Sequence, residues 1–344
     1  MHMKIQKRKI SDLTLCYCVA PLIYQGKQHF LVASEKEHPC YLFDNKGNQV
    51  DKIWDGPGGT MSAVQIPGSD GAFLATHKFY SPNNSKEAKI VLVWPENGEW
   101  KVRTLVELPY VHRFDILSRD GENYLIACCL KSDYEYKDDW RFPGMTYGCR
   151  LPDDLFAAES LNLELLRSGM LKNHGYCRSE KDGIMCGIVT SEEGVFRFIP
   201  PAKDGQWMIE QLIDEPTSDA VLLDIDGCGK DELLTIGPFH GEKLSIYKNN
   251  GEGFEKIWQH ANDIPFAHAI CRAEIDGKQC AVVGHRKGAR ELLLVHWSEE
   301  KVRVQILDCD VGPANVLHHK VDGKDILISA NREIDEVAYY VLEV

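Results

Sequence analysis

The chain lacks any run of about 18 apolar residues, the length that a bilayer-spanning helix needs, so no segment is expected to cross a membrane that way. Its first residues, MHMKIQKRKISDLTL, carry basic side chains but no apolar stretch and no small-residue cleavage site. No secretory signal is read there, and a cytoplasmic location is expected. Positive charge is scarce: 39 Lys and Arg face 52 Asp and Glu, a net charge of −13. That balance repels phosphate backbones and anionic lipid surfaces, so neither nucleic acid nor membrane is an expected partner. None of the twelve cysteines forms a CxxC pair, which argues against a zinc ribbon. They show no disulfide rhythm either, and Cys16, Cys18, Cys128, Cys129, Cys186, Cys271 and Cys280 sit inside apolar runs. A free thiol in such a run behaves as a small hydrophobe. GxSxG, Walker and strand–GxGxxG–helix motifs are missing, and helical periodicity is nearly absent.

Strand-like runs fill the chain instead, and they repeat. An Asp-Gly pair between two apolar runs recurs at Asp70-Gly71, Asp120-Gly121, Asp182-Gly183, Asp226-Gly227, Asp276-Gly277 and Asp322-Gly323. Gln25-Gly26 stands where a first copy belongs. Successive turns are 45, 50, 62, 44, 50 and 46 residues apart. Asp-Gly suits a tight hairpin because the primed turn needs positive φ. A period of roughly 40–50 residues with several strands per unit indicates a β-propeller. In repeat five, AVLLDI, ELLTI, KLSIY and GFEKIWQ read as strands A to D. Repeat seven ends at VAYYVLEV, its third strand, and MKIQKRKI from the other end of the chain is expected to complete it. The expected fold is therefore all-β. It is a single domain over residues 1–344, a seven-bladed propeller of four-stranded antiparallel blades closed by the N-terminal strand.

Two B–C loops break the rhythm, Thr76 to Lys89 in repeat two and Lys131 to Gly144 in repeat three. Both are long and carry aromatics. They read either as plain insertions or as a lid over a site.

Counting back eight residues from the first residue of each turn gives Tyr17, Ser62, His112, His174, Ser218, His268 and Ala314. Three of seven equivalent positions are histidine, in a chain with 13 histidines among 344 residues. The constant offset places them at one height on the innermost strands, which ring a propeller's central channel. His112, His174 and His268 are thus expected to converge on the axis, either to hold a divalent metal ion such as zinc, manganese or iron or to hydrogen-bond around water. The B–C loops emerge on the same face. They bring His77, His240 and His285 as candidate general acid and base, while Tyr17, Lys131, Tyr134, Trp140 and Arg286 are candidates to hold a polar substrate. His296, His318 and His319 read as structural.

DIDGCGKDEL, Asp224 to Leu233, resembles the Asp-x-Asp-Gly-x-Gly-x-x-Glu-Leu core of the VCBS/FG-GAP repeat family, complete in this blade alone. That resemblance implies a propeller and a candidate calcium site at Asp224, Asp226 and Glu232, set against a plain hairpin with exposed acids. Blade architecture with channel histidines is also similar to sugar-active propeller lyases, aldos-2-ulose dehydratase and oligogalacturonate lyase. That similarity implies a metal-assisted lyase, dehydratase or isomerase that removes a proton beside a carbonyl or carboxylate of a small carbohydrate. Two other functions stay open: a non-catalytic platform for protein or glycan binding, and a sugar lactonase.

Overall fold

Each turn of the repeat joins the two inner strands of a four-stranded antiparallel sheet, and there are seven such sheets among the described residues, 3–203 and 205–343, of the computed structural model. The inner strands are Cys16–Tyr24, Ala63–Gln65, Val111–Arg119, Tyr176–Lys181, Asp219–Leu223, Ala267–Ile275 and Pro313–Val321, in blades 1 to 7. In blades 1, 3, 4, 6 and 7 both central turn residues have positive φ, as at Asp120 (52°) and Gly121 (81°), which is the geometry the dipeptide favours. In blades 2 and 5 only the glycines do, Gly71 at 87° and Gly227 at 73°, and the connections are longer. The repeat is therefore strict in spacing and looser in turn type.

Alternating strands bury one face against each neighbouring sheet, and apolar clusters join every successive pair of blades. Leu31, Leu42 and Trp54 of blade 1 pack with Phe73, Val91 and Val93 of blade 2. Cys128 and Met170 of blade 3 meet Phe196 and Phe198 of blade 4. Phe30 and Phe43 of blade 1 meet Ile328 and Val337 of blade 7, which closes the circle. Each fully buried Leu or Phe stabilises by about 1.5–3 kcal/mol. The last blade is completed as the sequence indicated: Lys4–Asp12 pairs antiparallel with Glu336–Glu343 from Lys4↔Glu343 to Asp12↔Glu336. Lys7 holds the seam through Asp308 (2.9 Å) and Glu336 (2.7 Å). All twelve thiols are free, and most are buried. Among the described residues no helix is long and apolar enough to cross a membrane.

In the candidate calcium turn one lysine faces three carboxylates. Lys248 Nζ bridges Asp226 and Glu232, at 3.1 Å from the latter, while Asp224 Oδ2 accepts from the Gly229 amide (2.9 Å) and Asp226 Oδ1 from the Cys228 amide (3.0 Å). The Lys248 ammonium thus takes one side of Asp226 and Glu232, while ligand atoms of Asp224, Asp226 and Cys228 lie within 4.8 Å of one another. The motif is a hairpin braced by Lys248, with Glu232 outside the close group of ligand atoms.

Candidate functional site

The position eight residues before the turn is distinguished by its backbone. In four blades the inner ladder slips by one residue there. Cys16 pairs with Ser34 and Cys18 with Ala33; Val111 pairs with Cys129 and Arg113 with Cys128. Ala267 pairs with His285 and Ala269 with Gly284; Pro313 pairs with Asn331 and Asn315 with Ala330. The skipped residues are Tyr17, His112, His268 and Ala314. A bulge leaves one residue out of the ladder and re-aims its side chain. Here the re-aimed rings from blades 1, 3 and 6 meet, since Tyr17 Oη lies 3.2 Å from His112 Nε2 and 3.1 Å from His268 Nε2. His174, just ahead of its strand in blade 4, brings its ring centroid within 4.5 Å of that of His112. Tyr17, His112, His174 and His268 are all buried.

Each of the three imidazoles is anchored through Nδ1. His112 Nδ1 donates to the His174 carbonyl (3.0 Å) and His268 Nδ1 to the Ala314 carbonyl (2.8 Å). His174 Nδ1 donates to Asp219 Oδ2 (2.8 Å), a buried carboxylate of blade 5. A neutral imidazole that donates through Nδ1 has a bare lone pair on Nε2. For His112 and His268 that lone pair faces the axis beside the Tyr17 hydroxyl, and His174 turns its Nε2 to the same place. Tyr17 has one proton to offer its two histidine neighbours, so at least one of these lone pairs has no partner from Tyr17.

A fourth imidazole arrives from above. His240 follows the blade 5 strand Glu232–Gly237 in a tight turn, closed by Gly241 N–H to the Pro238 carbonyl (2.7 Å), with φ of 47° at His240 itself. Its amide donates to Ser218 Oγ (3.2 Å). Ser218 is the blade 5 member of the ring position, so the blade without a ring histidine supports one from its loop. The His240 ring is sandwiched between Phe239 (3.9 Å) and Phe266 (4.4 Å), and its Nε2 lies 3.3 Å from His174 Nε2. The ligand atoms of His174, His240 and His268 lie within 4.8 Å of one another. Nitrogens held about 2.1 Å from a tetrahedral ion stand roughly 3.4 Å apart, so the His174–His240 spacing already suits one. His112 lies outside that trio and touches it through Tyr17 and ring contact with His174.

Burial sets the protonation state. Removal from water holds His112, His240 and His268 well below the ordinary histidine range, with neighbouring rings and the guanidinium groups of Arg113 and Arg286 adding to the effect. Burial also pushes the Tyr17 hydroxyl up, so it stays protonated. These are neutral imidazoles, the form that binds metal.

The two long loops do cover this end of the axis. Phe79, from Thr76 to Lys89, packs edge-on to His112 (5.0 Å). From the blade 3 loop, Trp140 packs on Phe239 (5.2 Å), which in turn touches His174 (5.3 Å). Lys131 serves the loop itself: its buried ammonium donates to the Asp139 carbonyl (2.6 Å) beneath Trp140 (4.3 Å). Tyr134 packs on Tyr110 under Lys86. Arg286 lies over Phe266 (4.8 Å) and pairs with Glu333 (2.8 Å).

His77 and His285 are not brought to the ring. His77 packs edge-on to Trp54 (4.7 Å), and its Nε2 has no partner. His285 is tied to its own loop by the Lys287 carbonyl (2.8 Å) and Glu291 (3.1 Å). Of the three loop histidines only His240 joins the centre. His318 pairs with Asp325 and His319 packs on Phe30, both away from the axis.

No protein-family model matches the chain, and no curated protein matches it. Among solved structures, virginiamycin B lyase from Staphylococcus aureus is similar, with 15% identity and a TM-score of 0.61 over 99% of both chains. The β-propeller domain of Cps50 (Swd1) from Myceliophteria thermophila is similar too, with 9% identity and a TM-score of 0.62 over 97% of this chain and 99% of that one. At such identities the likeness shows a shared propeller fold and nothing finer.

Proposed function

We propose that this chain is a metal-dependent lyase or isomerase that removes a proton beside a carbonyl or carboxylate of a carbohydrate, with the ion held by His174, His240 and His268. One observation carries the reading: buried imidazoles anchored through Nδ1 turn their Nε2 atoms to one point on the axis, where the Tyr17 hydroxyl has one proton for two of them. Asp219 behind His174 is the carboxylate–histidine arrangement that supports metal ligands. One similar propeller is named a lyase, which fits elimination chemistry without fixing it.

When bound, a divalent ion supplies Lewis-acid polarisation of the carbonyl oxygen and so acidifies the neighbouring C–H. The chain's own residues do the rest. His112 keeps its Nε2 lone pair available, because its Nδ1 proton is committed to the His174 carbonyl. Tyr17 Oη, in contact with that Nε2, carries a proton toward or away from it. The cap of Phe79, Phe239 and Phe266 limits water at the reacting centre.

The test is metal analysis of protein loaded with zinc, manganese, iron or cobalt, before and after His174→Ala. One tightly held ion per chain, lost in the variant, is expected. Absence of any bound ion after every loading would sink the reading. Keto sugars, uronate oligomers and lactones, each with and without chelator, then sort the chemistry. Chelator-sensitive loss of a C–H proton supports the lyase or isomerase. Turnover of lactones alone points to a lactonase, and no turnover at all to a binding platform.

A further inference from the structure

On the turn side of the histidines the axis opens into a cavity of about 550 Å³. Its wall is made by the middle of the inner strands of blades 1, 2, 3, 4 and 7, including Cys18, Val64, Arg113, Asp115, Arg178 and Asn315. Three of these six side chains are charged, and they are not equivalent. Arg178 has a counter-ion: its Nε donates to Asp115 Oδ2 (2.9 Å) and its second terminal nitrogen to Asp115 Oδ1. Asp115 Oδ1 also accepts from the Ile116 amide (2.8 Å). That pair is neutral as a unit.

Arg113 is different. It is half-buried, and among the described residues no carboxylate lies within ion-pair distance of it. Nη1 donates to the Met61 carbonyl (2.6 Å) and Nη2 reaches Asn315 Oδ1 at 3.4 Å, both uncharged acceptors. A guanidinium has five N–H donors in a planar fork, so most of its hydrogen-bonding capacity is unused. It cannot relieve itself by losing its proton, since arginine stays charged in proteins. A cation half-removed from water without a counter-ion is unfavourable, and an anion delivered to it is correspondingly favoured. Low-dielectric walls such as Val64 and Cys18 strengthen that attraction.

We infer that this turn-side cavity is a binding site for a small carboxylate, anchored on the guanidinium of Arg113. It is a second site, separate from the capped loop face, and it does not rest on the presence of a metal. It is nonetheless wired to the ring: the guanidinium lies 5.6 Å over the ring of Tyr17, whose hydroxyl touches His112 and His268, and Asn315 Nδ2 donates to the Tyr17 carbonyl (2.9 Å).

The test uses calorimetric titration of the chelator-treated protein with acetate, lactate and glucuronate, against acetamide, lactamide and glucose. At least one carboxylate is expected to bind and its neutral counterpart not to. Arg113→Gln is expected to weaken that binding roughly tenfold to a hundredfold, as loss of a charge-assisted hydrogen bond does. Arg113→Lys, which keeps the charge, is expected to retain part of it, and it carries the test should Arg113→Gln fail to fold. Val64→Trp, which fills the cavity, is expected to abolish it. No binding by any carboxylate would overturn the inference, as would equal binding of neutral and charged partners. Carboxylate binding that needs bound metal, is lost in His174→Ala and survives in folded Arg113→Gln would place the ligand on the histidines instead.

Discussion

His174 and His285 look alike by every simple measure. Both are buried to within 2% of full exclusion from solvent, both donate or accept through two nitrogens, and both lie beside a carboxylate. They differ in who owns the partners. His285 spends Nδ1 on Lys287 and Nε2 on Glu291, a loop two to six residues away in its own blade. His174 spends Nδ1 on Asp219 of the next blade and turns Nε2 toward His240 and the axis. Burial and a carboxylate neighbour therefore do not make a candidate site. A nitrogen turned toward other ring nitrogens does, as His174 Nε2 is toward His240 Nε2.

The strongest way to break this comparison is to remove the anchor and keep the ligand. Asp219→Ala leaves the His174 ring in place but frees its tautomer, with only the more distant Ser218 carbonyl (3.3 Å) to hold Nδ1. Metal affinity is expected to fall by about 10- to 100-fold, the usual effect of deleting a carboxylate behind a ligating histidine. Asp219→Asn, whose amide oxygen still accepts the Nδ1 proton, is expected to lose less. Isothermal titration with zinc separates the two, and equal losses would mean that charge rather than orientation matters.

A smaller effect is expected at His77, a histidine buried without any anchor. Burial, with Lys89 and Lys78 nearby, lowers its pKa to about 4. The unfolded chain protonates this group near 6.5, so between roughly pH 6.5 and 4 it is the unfolded state that takes up the extra proton. The contribution is fully present above pH 6.5 and is lost as pH falls below it. At pH 5 the loss amounts to about 2 kcal/mol. Urea unfolding of the metal-free protein at pH 7.5 and 5.0 measures it, and His77→Phe is expected to flatten the difference by that amount. An unchanged pH dependence in the variant would show that His77 is not the buried neutral group described.

The architecture was legible because a hairpin turn is a local feature with a fixed length to the strand before it. Asp120, Asp182 and Asp276 each mark, eight residues upstream, a histidine at the same height, and the ring follows from arithmetic. The bulges at Tyr17, His112 and His268 left no signature in the residue types, yet they aim those side chains inward. His240 was legible as a loop histidine but not as a partner of His174. Its place depends on a backbone bond to Ser218 and on stacking between Phe239 and Phe266, which tertiary packing decides. His77 and His285 shared the same apparent loop position and lack those supports. The cation that pairs with the acidic turn was hidden for a related reason: Lys248 sits on the adjacent strand, beyond the reach of a ten-residue pattern.

The smallest expected effect is the most specific. His285→Gln removes a buried ring whose hydrogen-bond partners lie in its own loop, so it should cost stability and leave the axis alone. A loss of about 1 kcal/mol is typical for such a substitution, read as a lower denaturation midpoint. Zinc affinity is expected to stay at the wild-type value, in contrast to Asp219→Ala measured in the same titration. Distance alone does not guarantee this, because the Ala267 and Ala269 pairing partners of His285 and Gly284 flank the bulge that aims His268. A fall in zinc affinity comparable to that of Asp219→Ala would show that the loop sets the bulge and that the two histidines belong to one device. An unchanged affinity keeps them apart: one carboxylate-linked histidine holds a loop, and the other turns a nitrogen to the axis.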